Sequence, residues 1–269
     1  MPTTRFHDVR RFATIDSTNR YLLDEARAGA PEGVVAVADH QTAGRGRLGR
    51  TWEAPAGANL LLSVLLRPAL DPGDRHLATA AVALAAHDAI EGLPPALGLA
   101  GAVGVKWPND LVDRTGRKLA GVLAEADLAA GSPDGAVRPP LVVGIGINVA
   151  WPGPDDELPP ELAGTATSLA RLSAAGAPGP DREVLLAGLL AALEPRVAAL
   201  ETPGGRAGLA EDLAARCTTL GTRVRVELPD GSFEGVATGL TPEGHLLVDA
   251  DGSSRTVVAG DVVHVRPGA

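Results

Sequence analysis

Lysine is nearly missing from this 269-residue chain: of its 24 basic residues, only Lys106 and Lys118 are not arginine. Cysteine occurs once, at Cys217, which rules out an internal disulfide and a multi-cysteine metal site and fits a reducing compartment. Aromatic residues are scarce, with three Phe, three Trp and one Tyr, which argues against the stacking platforms of a single-strand binder. A formal net charge of −9 argues against the broad basic face that a general nucleic-acid binder needs. No apolar run has membrane-spanning character: the most apolar helical stretch, His76 to Ile90, is interrupted by His87 and Asp88, and Met1 to Asp8 holds no signal-like segment. A cytoplasmic protein with no membrane and no nucleic-acid partner is expected.

Against that acidic background stands Gly44 to Arg50, which reads Gly-Arg-Gly-Arg-Leu-Gly-Arg. Glycines let backbone N–H groups approach a ligand, and each guanidinium presents a fork that fits carboxylate or phosphate oxygens in pairs. The pairing of those two anions suggests an acid activated by a nucleotide; the alternative is a solvated turn. Both lysines fall in one neighbourhood, Lys106-Trp107-Pro108-Asn109-Asp110 and Lys118-Leu119-Ala120-Gly121, where a compact ammonium is kept in a chain that otherwise uses arginine.

The length suits one sizeable domain plus a small one. Apolar runs predict strands over Val34 to Ala38, Asn59 to Leu66, Val103 to Trp107, Leu119 to Ala126 and Leu141 to Val149. Helices are predicted over Tyr21 to Ala28, Leu77 to Glu91 and Arg182 to Leu200, the last capped by Asp181. Turns are expected at Asp113 to Gly116 and Gly131 to Pro140. Beyond Pro203-Gly204-Gly205 a short helix and five short strands (Arg223 to Leu228, Ser232 to Leu240, His245 to Asp249, Arg255 to Val258, Val262 to Val265) predict a small β-barrel. The expected boundaries are 1–216 and 217–269.

With these motifs in place the chain resembles the biotin protein ligases. The match spans nearly the whole length through Asp16-Ser17-Thr18-Asn19, Gln41-Thr42-Ala43, the Gly44 to Arg50 loop, Trp52, Gly57-Ala58-Asn59, both lysine motifs, Gly144-Ile145-Gly146-Ile147-Asn148 and Thr167-Ser168-Leu169. The resemblance implies an α/β (α+β) catalytic domain with a mixed sheet, similar to class II aminoacyl-tRNA synthetases, followed by an SH3-like barrel. It implies ATP and biotin as substrates, Mg²⁺, biotinyl-5′-AMP as intermediate, and a biotin carboxyl carrier domain as partner; a homodimer stays open. No metal-ligating protein residues are expected. Because Ser17-Thr18-Asn19 lies close to the first residue, the form without an N-terminal winged-helix reader, and without repressor function, is expected.

The resemblance also distributes the site. It implies biotin contacts from Ser17, Thr18, Asn19, Gln41, Gly44, Arg45, Gly46, Arg47, Trp52, Lys118 and Gly121. It implies nucleotide contacts from Arg45, Arg47, Arg50, Asn59, Lys106, Trp107, Asn109, Lys118 and Asn148. Lys118 and Arg47 are the expected catalytic cations, set against the repulsion between a carboxylate and the α-phosphate. Asp110 is the expected helper of the acceptor amine in the transfer step, as base or orienter; a loop cap or a magnesium-side carboxylate is the other reading. Ser17-Thr18-Asn19 also suits a helix N-cap, Trp52 and Trp107 also suit core packing, and the glycines make Gly44 to Arg50 a candidate lid. Two rivals remain: a lipoate or octanoyl enzyme of the same fold, and a noncatalytic nucleotide or RNA binder.

Overall fold

From Leu77 to Ala86 every side chain is buried, because a run of alanines lets this helix lie close against both a sheet and a second helix. That packing divides the molecule into two faces. The computed structural model describes residues 4–127, 138–177, 179–228, 231–258 and 260–264.

In chain order the first part holds β1 (Val9–Phe12), α1 (Thr18–Arg27), β2 (Val35–Ala38), β3 (Leu60–Leu66), α2 (His76–Glu91), β4 (Val103–Lys106), β5 (Asp110–Asp113), β6 (Lys118–Ala126) and β7 (Leu141–Ile147). Then follow α3 (Pro160–Ala163), α4 (Leu169–Leu172), α5 (Arg182–Leu200) and α6 (Pro203–Arg216). The strands form one seven-stranded mixed sheet in the order β1-β2-β3-β7-β6-β5-β4, parallel at β1–β2 and antiparallel elsewhere. Leu60, Leu62, Val64, Val143, Ile145, Ala120 and Val122 share a core with α2 and α5. The alternate residues turn to the other face, where α1 covers Leu65 and Val142 with Leu22 and Ala26. The part of that second face beyond α1 carries Ser63, Gly144, Gly146 and Gly121, and it is there that the motifs converge.

The C-terminal part folds as β8 (Arg223–Leu228), β9 (Gly231–Leu240), β10 (Leu246–Ala250), β11 (Ser253–Val257) and β12 (Asp261–His264), an antiparallel sheet in the order β11-β10-β9-β8-β12. It is fastened to the seven-stranded sheet at Trp107. The Trp107 backbone N–H donates to Thr219 Oγ1 at 3.1 Å and its indole Nε1 donates to Gly244 O at 3.1 Å.

The helix expected at Tyr21 begins at Thr18, because Ser17 caps it through its side chain. Two strands escaped the sequence reading. β1 is only four residues long and carries two arginines, and β5 begins and ends in aspartate; neither shows a hydrophobic period, and both exist by pairing with a neighbour. The Gly131 to Pro140 turn lies mostly outside the described residues.

Two histidines sit where the C-terminal sheet meets the rest of the chain. Burial pushes the His245 pKa down, and the stacked His76 pushes it the same way, against Glu243 and Asp74; burial and then Lys106 push His264 down. A folded-state pKa below the unfolded value means that the unfolded chain binds more protons as pH falls, so stability is lost below about pH 6.5. Asp113 and Asp212, whose pKa values are lowered by hydrogen bonds and arginines, lose stability only below about pH 4. The melting temperature should therefore drop from pH 7 to pH 5, by about 2–4 °C per kcal/mol lost. A His245→Asn/His264→Asn variant should flatten that slope; an unchanged slope would contradict the assignment.

Candidate active site

One register row crosses the sheet: Lys106 pairs with Asp110, Asp110 with Gly121, Gly121 with Gly146 and Gly146 with Leu61. The two glycines make a floor. A Cβ at Gly146 would lie 2.5 Å from Trp52 Cε2, and one at Gly121 would lie 2.9 Å from Lys118 Cε and 3.3 Å from Trp52 Cζ3. Only hydrogen at both positions lets the Trp52 indole lie flat on the strands. Trp52 Nε1 is buried, faces this floor and makes no hydrogen bond to the protein.

Lys118 reaches the same floor by a backbone irregularity. The β5–β6 register shifts so that Leu111 faces Ala120 while Val112 faces Lys118. Three residues from Gly121, Lys118 would point to the opposite face of a regular strand; the bulge at Leu119 turns it back over Gly121. Its Nζ lies 2.8 Å from Asp110 Oδ1 and 5.6 Å from the Trp52 ring centroid. Its backbone is fixed by donation to Thr165 O at 2.6 Å and by acceptance from Thr167 N at 2.9 Å.

Next to the floor lies a polar network at the N-terminus of α1. Thr18 donates to Gln41 Oε1 from its backbone N–H (2.8 Å) and hydroxyl (3.0 Å), and its Oγ1 lies 2.7 Å from Ser63 Oγ. Ser63 donates to Asn19 Oδ1 at 2.6 Å, and Asn19 Nδ2 donates to Leu123 O and to Glu125 Oε2 at 2.8 Å. Gly144 makes room for Asn19, since a Cβ there would collide with Asn19 Oδ1. Ser63 was not anticipated, although a lone hydroxyl inside Leu60-Leu61-Leu62-Ser63-Val64-Leu65-Leu66 was the available signal.

Gly44 to Arg50 closes on itself as a turn. Trp52 N donates to Gly44 O at 2.9 Å, Gly46 N to Arg50 O at 2.6 Å, and Leu48 and Gly49 take positive φ of 57° and 72° at its tip. The three guanidinium groups leave it in different directions. Arg45 Nη2 meets Glu125 Oε1 at 3.0 Å, Arg50 Nη2 meets Asp261 Oδ2 at 2.6 Å, and Arg47 donates to Asn109 Oδ1 at 2.9 Å and Gly260 O at 2.7 Å. Among the described residues, Arg47 and Lys106 are the loop-side cations without a carboxylate at ion-pair distance. Burial pushes the Lys106 pKa down, with Lys118 and Arg50 adding to it, while Asp110 and Asp261 hold it up.

Several expected ligand residues sit apart from the floor. Trp107 is 2% exposed and its indole N–H donates to Gly244 O, so it packs the junction with the C-terminal sheet. Asn59 and Asn148 are buried and hydrogen-bond each other at 3.0 Å, with their remaining bonds going to Val149 N, Trp151 N and Thr167 O. Ser17 spends its hydroxyl on the cap of α1. These four carry bracing hydrogen bonds beside the floor, and Thr18, Asn19, Gln41, Gly44, Arg45, Gly46, Arg47, Trp52, Asn109, Asp110, Lys118 and Gly121 gather around it.

A family model described as the biotin/lipoate A/B protein ligase family matches residues 11–133, and one described as the biotin protein ligase C terminal domain matches residues 219–265. The chain is 40% identical over 260 residues to the biotin–[acetyl-CoA-carboxylase] ligase of Mycobacterium tuberculosis, covering 94% of this chain and 88% of that one. The chain belongs to the biotin protein ligase family. A second ligase of the same description, from Paracoccus denitrificans, is 32% identical over 93% of this chain and 98% of its own length. Among solved structures, the Aquifex aeolicus biotin protein ligase in complex with biotin and ATP superposes with a TM-score of 0.76 at 27% identity, over 97% of this chain and all of that one. The family's mixed α/β fold and its small C-terminal antiparallel domain are those of this chain. Among the described residues no helix is long and apolar enough to cross a membrane.

Proposed function

We propose that this chain couples ATP to the activation of biotin as biotinyl-5′-AMP and transfers the biotinyl group to a lysine of a biotin carboxyl carrier domain. Support comes from the shared row of Lys106, Asp110, Gly121 and Gly146, with Lys118 turned onto it, in a chain whose relatives are named for that reaction. The Thr18–Ser63–Asn19–Gln41 network offers donors and acceptors to the polar ring of biotin, and the Trp52 indole lying on the glycine floor offers a flat apolar surface to its chain. A lipoate enzyme would have little use for so many polar groups beside that surface.

In the first step a biotin carboxylate oxygen bonds to the α-phosphorus of ATP as the bond to the bridging oxygen breaks and pyrophosphate leaves. Lys118 and Arg47 offset the approach of the two anions and the charge that builds at the α-phosphate, and Lys106 adds a third cation beside them. Magnesium belongs to this reading as the ion ATP carries. No step here runs through a protein-held ion.

In the second step the acceptor amine bonds to the carbonyl carbon of the mixed anhydride, AMP leaves and the amine loses a proton. Asp110, whose Oδ1 lies 2.8 Å from Lys118 Nζ, would hold or accept that proton. Asp110→Asn should leave adenylate formation within about three-fold and slow transfer by about 10²-fold. Equal losses in both steps, measured by single-turnover assays, would remove Asp110 from the transfer step. The boundary at 216/217, where α6 ends, and a cytoplasmic setting complete the reading. Incubation with biotin, ATP and a purified carrier domain should add one biotinyl mass to the carrier; an unmodified carrier with biotin but a modified one with lipoate would overturn it.

A further inference from the structure

The loop's three arginines divide by the charge of what they meet. Arg45 ends on Glu125 and Arg50 on Asp261, each a carboxylate, while Arg47 between them ends on a carbonyl and an amide oxygen. Glu125 stands on the ligand-facing side of β6, two pleats from Gly121, and its second oxygen holds Asn19 Nδ2 at 2.8 Å. Asp261 stands at the first residue of β12, beside the Gly260 carbonyl that holds Arg47. The loop is thereby tied at one end to the polar pocket and at the other to the C-terminal sheet.

We infer that Glu125 and Asp261 are positioning residues, anchoring the loop through Arg45 and Arg50 so that, of the loop's three arginines, Arg47 brings the uncompensated charge to the substrate anions. The arrangement suits both tasks. A guanidinium already neutralised by a carboxylate has less to offer an incoming anion, whereas neutral acceptors orient Arg47 without spending its charge. Because Glu125 grips Arg45 and Asn19 together, the ring end of the pocket and the loop move as one unit. The C-terminal sheet acquires a specific task as well: it holds the far end of the loop.

The inference rests on the ligase reading for its kinetic readout, so biotin-dependent pyrophosphate exchange in the unaltered chain is the control; its absence would count against that reading and not against the anchors. Glu125→Gln should raise the KM for biotin about ten-fold, the effect of losing charge-assisted bonds to two partners, with kcat little changed. Asp261→Asn should raise KM by about two- to five-fold, as for a part-exposed ion pair. Within each pair, Arg45→Gln with Glu125→Gln and Arg50→Gln with Asp261→Asn, the double variant should be no worse than the worse single variant. The charge-exchanged pair Arg50→Asp with Asp261→Arg should recover most of the loss. Trypsin should cut the loop faster in each single anchor variant, a readout independent of activity. Additive losses within either pair, or an Arg45→Gln defect about 100-fold beyond that of Glu125→Gln, would mean direct ligand contact and overturn the inference.

Discussion

Lys118→Ala should slow formation of biotinyl-5′-AMP by about 10²–10³-fold, the cost of removing one preorganised charged donor from an acyl or phosphoryl centre. The argument is geometric before it is electrostatic. A bulge at Leu119 turns the lysine onto the glycine floor, Thr165 and Thr167 fix its backbone, and Asp110 and the Trp52 ring hold its ammonium. The backbone supports do not depend on the side chain's presence, so the variant should fold and its defect should lie in the chemical step. It also strands Asp110 without its 2.8 Å partner, adding a second negative charge where two substrate anions must meet. Lys118→Arg should not rescue, since a planar fork cannot occupy the space of a compact ammonium pressed against Gly121 and Trp52. Rapid-quench measurement of adenylate in a single turnover reads this directly; a loss below about ten-fold would take Lys118 out of the catalytic role.

The second large effect is expected at Arg47, and it should differ in kind. Arg47→Ala removes a charge oriented by Asn109 and Gly260, and with it the only guanidinium of the loop not neutralised by a carboxylate among the described residues. Adenylate formation should fall by about 10²-fold. Retention should fall as well, because the loop loses its grip on the ligand while its two ends stay fastened. Biotinyl-5′-AMP should then escape and label lysines of a bystander protein such as albumin in proportion to their exposure. A slower enzyme that keeps its adenylate and labels only the carrier would show that Arg47 serves chemistry but not closure.

How much of this was legible beforehand depends on the kind of signal. β3, α2 and α5 were readable within a residue or two because long apolar runs and helical periods leave few alternatives. β1 and β5 were not, since four-residue strands rich in Arg or Asp have no period of their own and form by pairing. In the site, Lys118, Arg47, Thr18, Asn19 and Gln41 are expected from motif chemistry and resemblance; in the structure Lys118 lies over Trp52, Thr18 meets Gln41, Asn19 meets Ser63 and Arg47 meets Asn109. Glu125 and Asp261 were invisible because nothing local distinguishes a carboxylate that pairs 80 or 211 residues away. Trp107, Asn59 and Asn148 were read as ligand contacts because tryptophan and asparagine suit both binding and bracing. In the structure Asn59 and Asn148 hydrogen-bond each other and Trp107 donates to Gly244 O, a bracing role that each can fill beside the expected one.

The central claim, that this site activates biotin with ATP, is tested most directly by exchange of radiolabelled pyrophosphate into ATP with magnesium present, with biotin or lipoate as the acid. Exchange with biotin, absent with lipoate and abolished by Lys118→Ala, is the predicted result. Exchange with lipoate alone, or with neither acid, would contradict it.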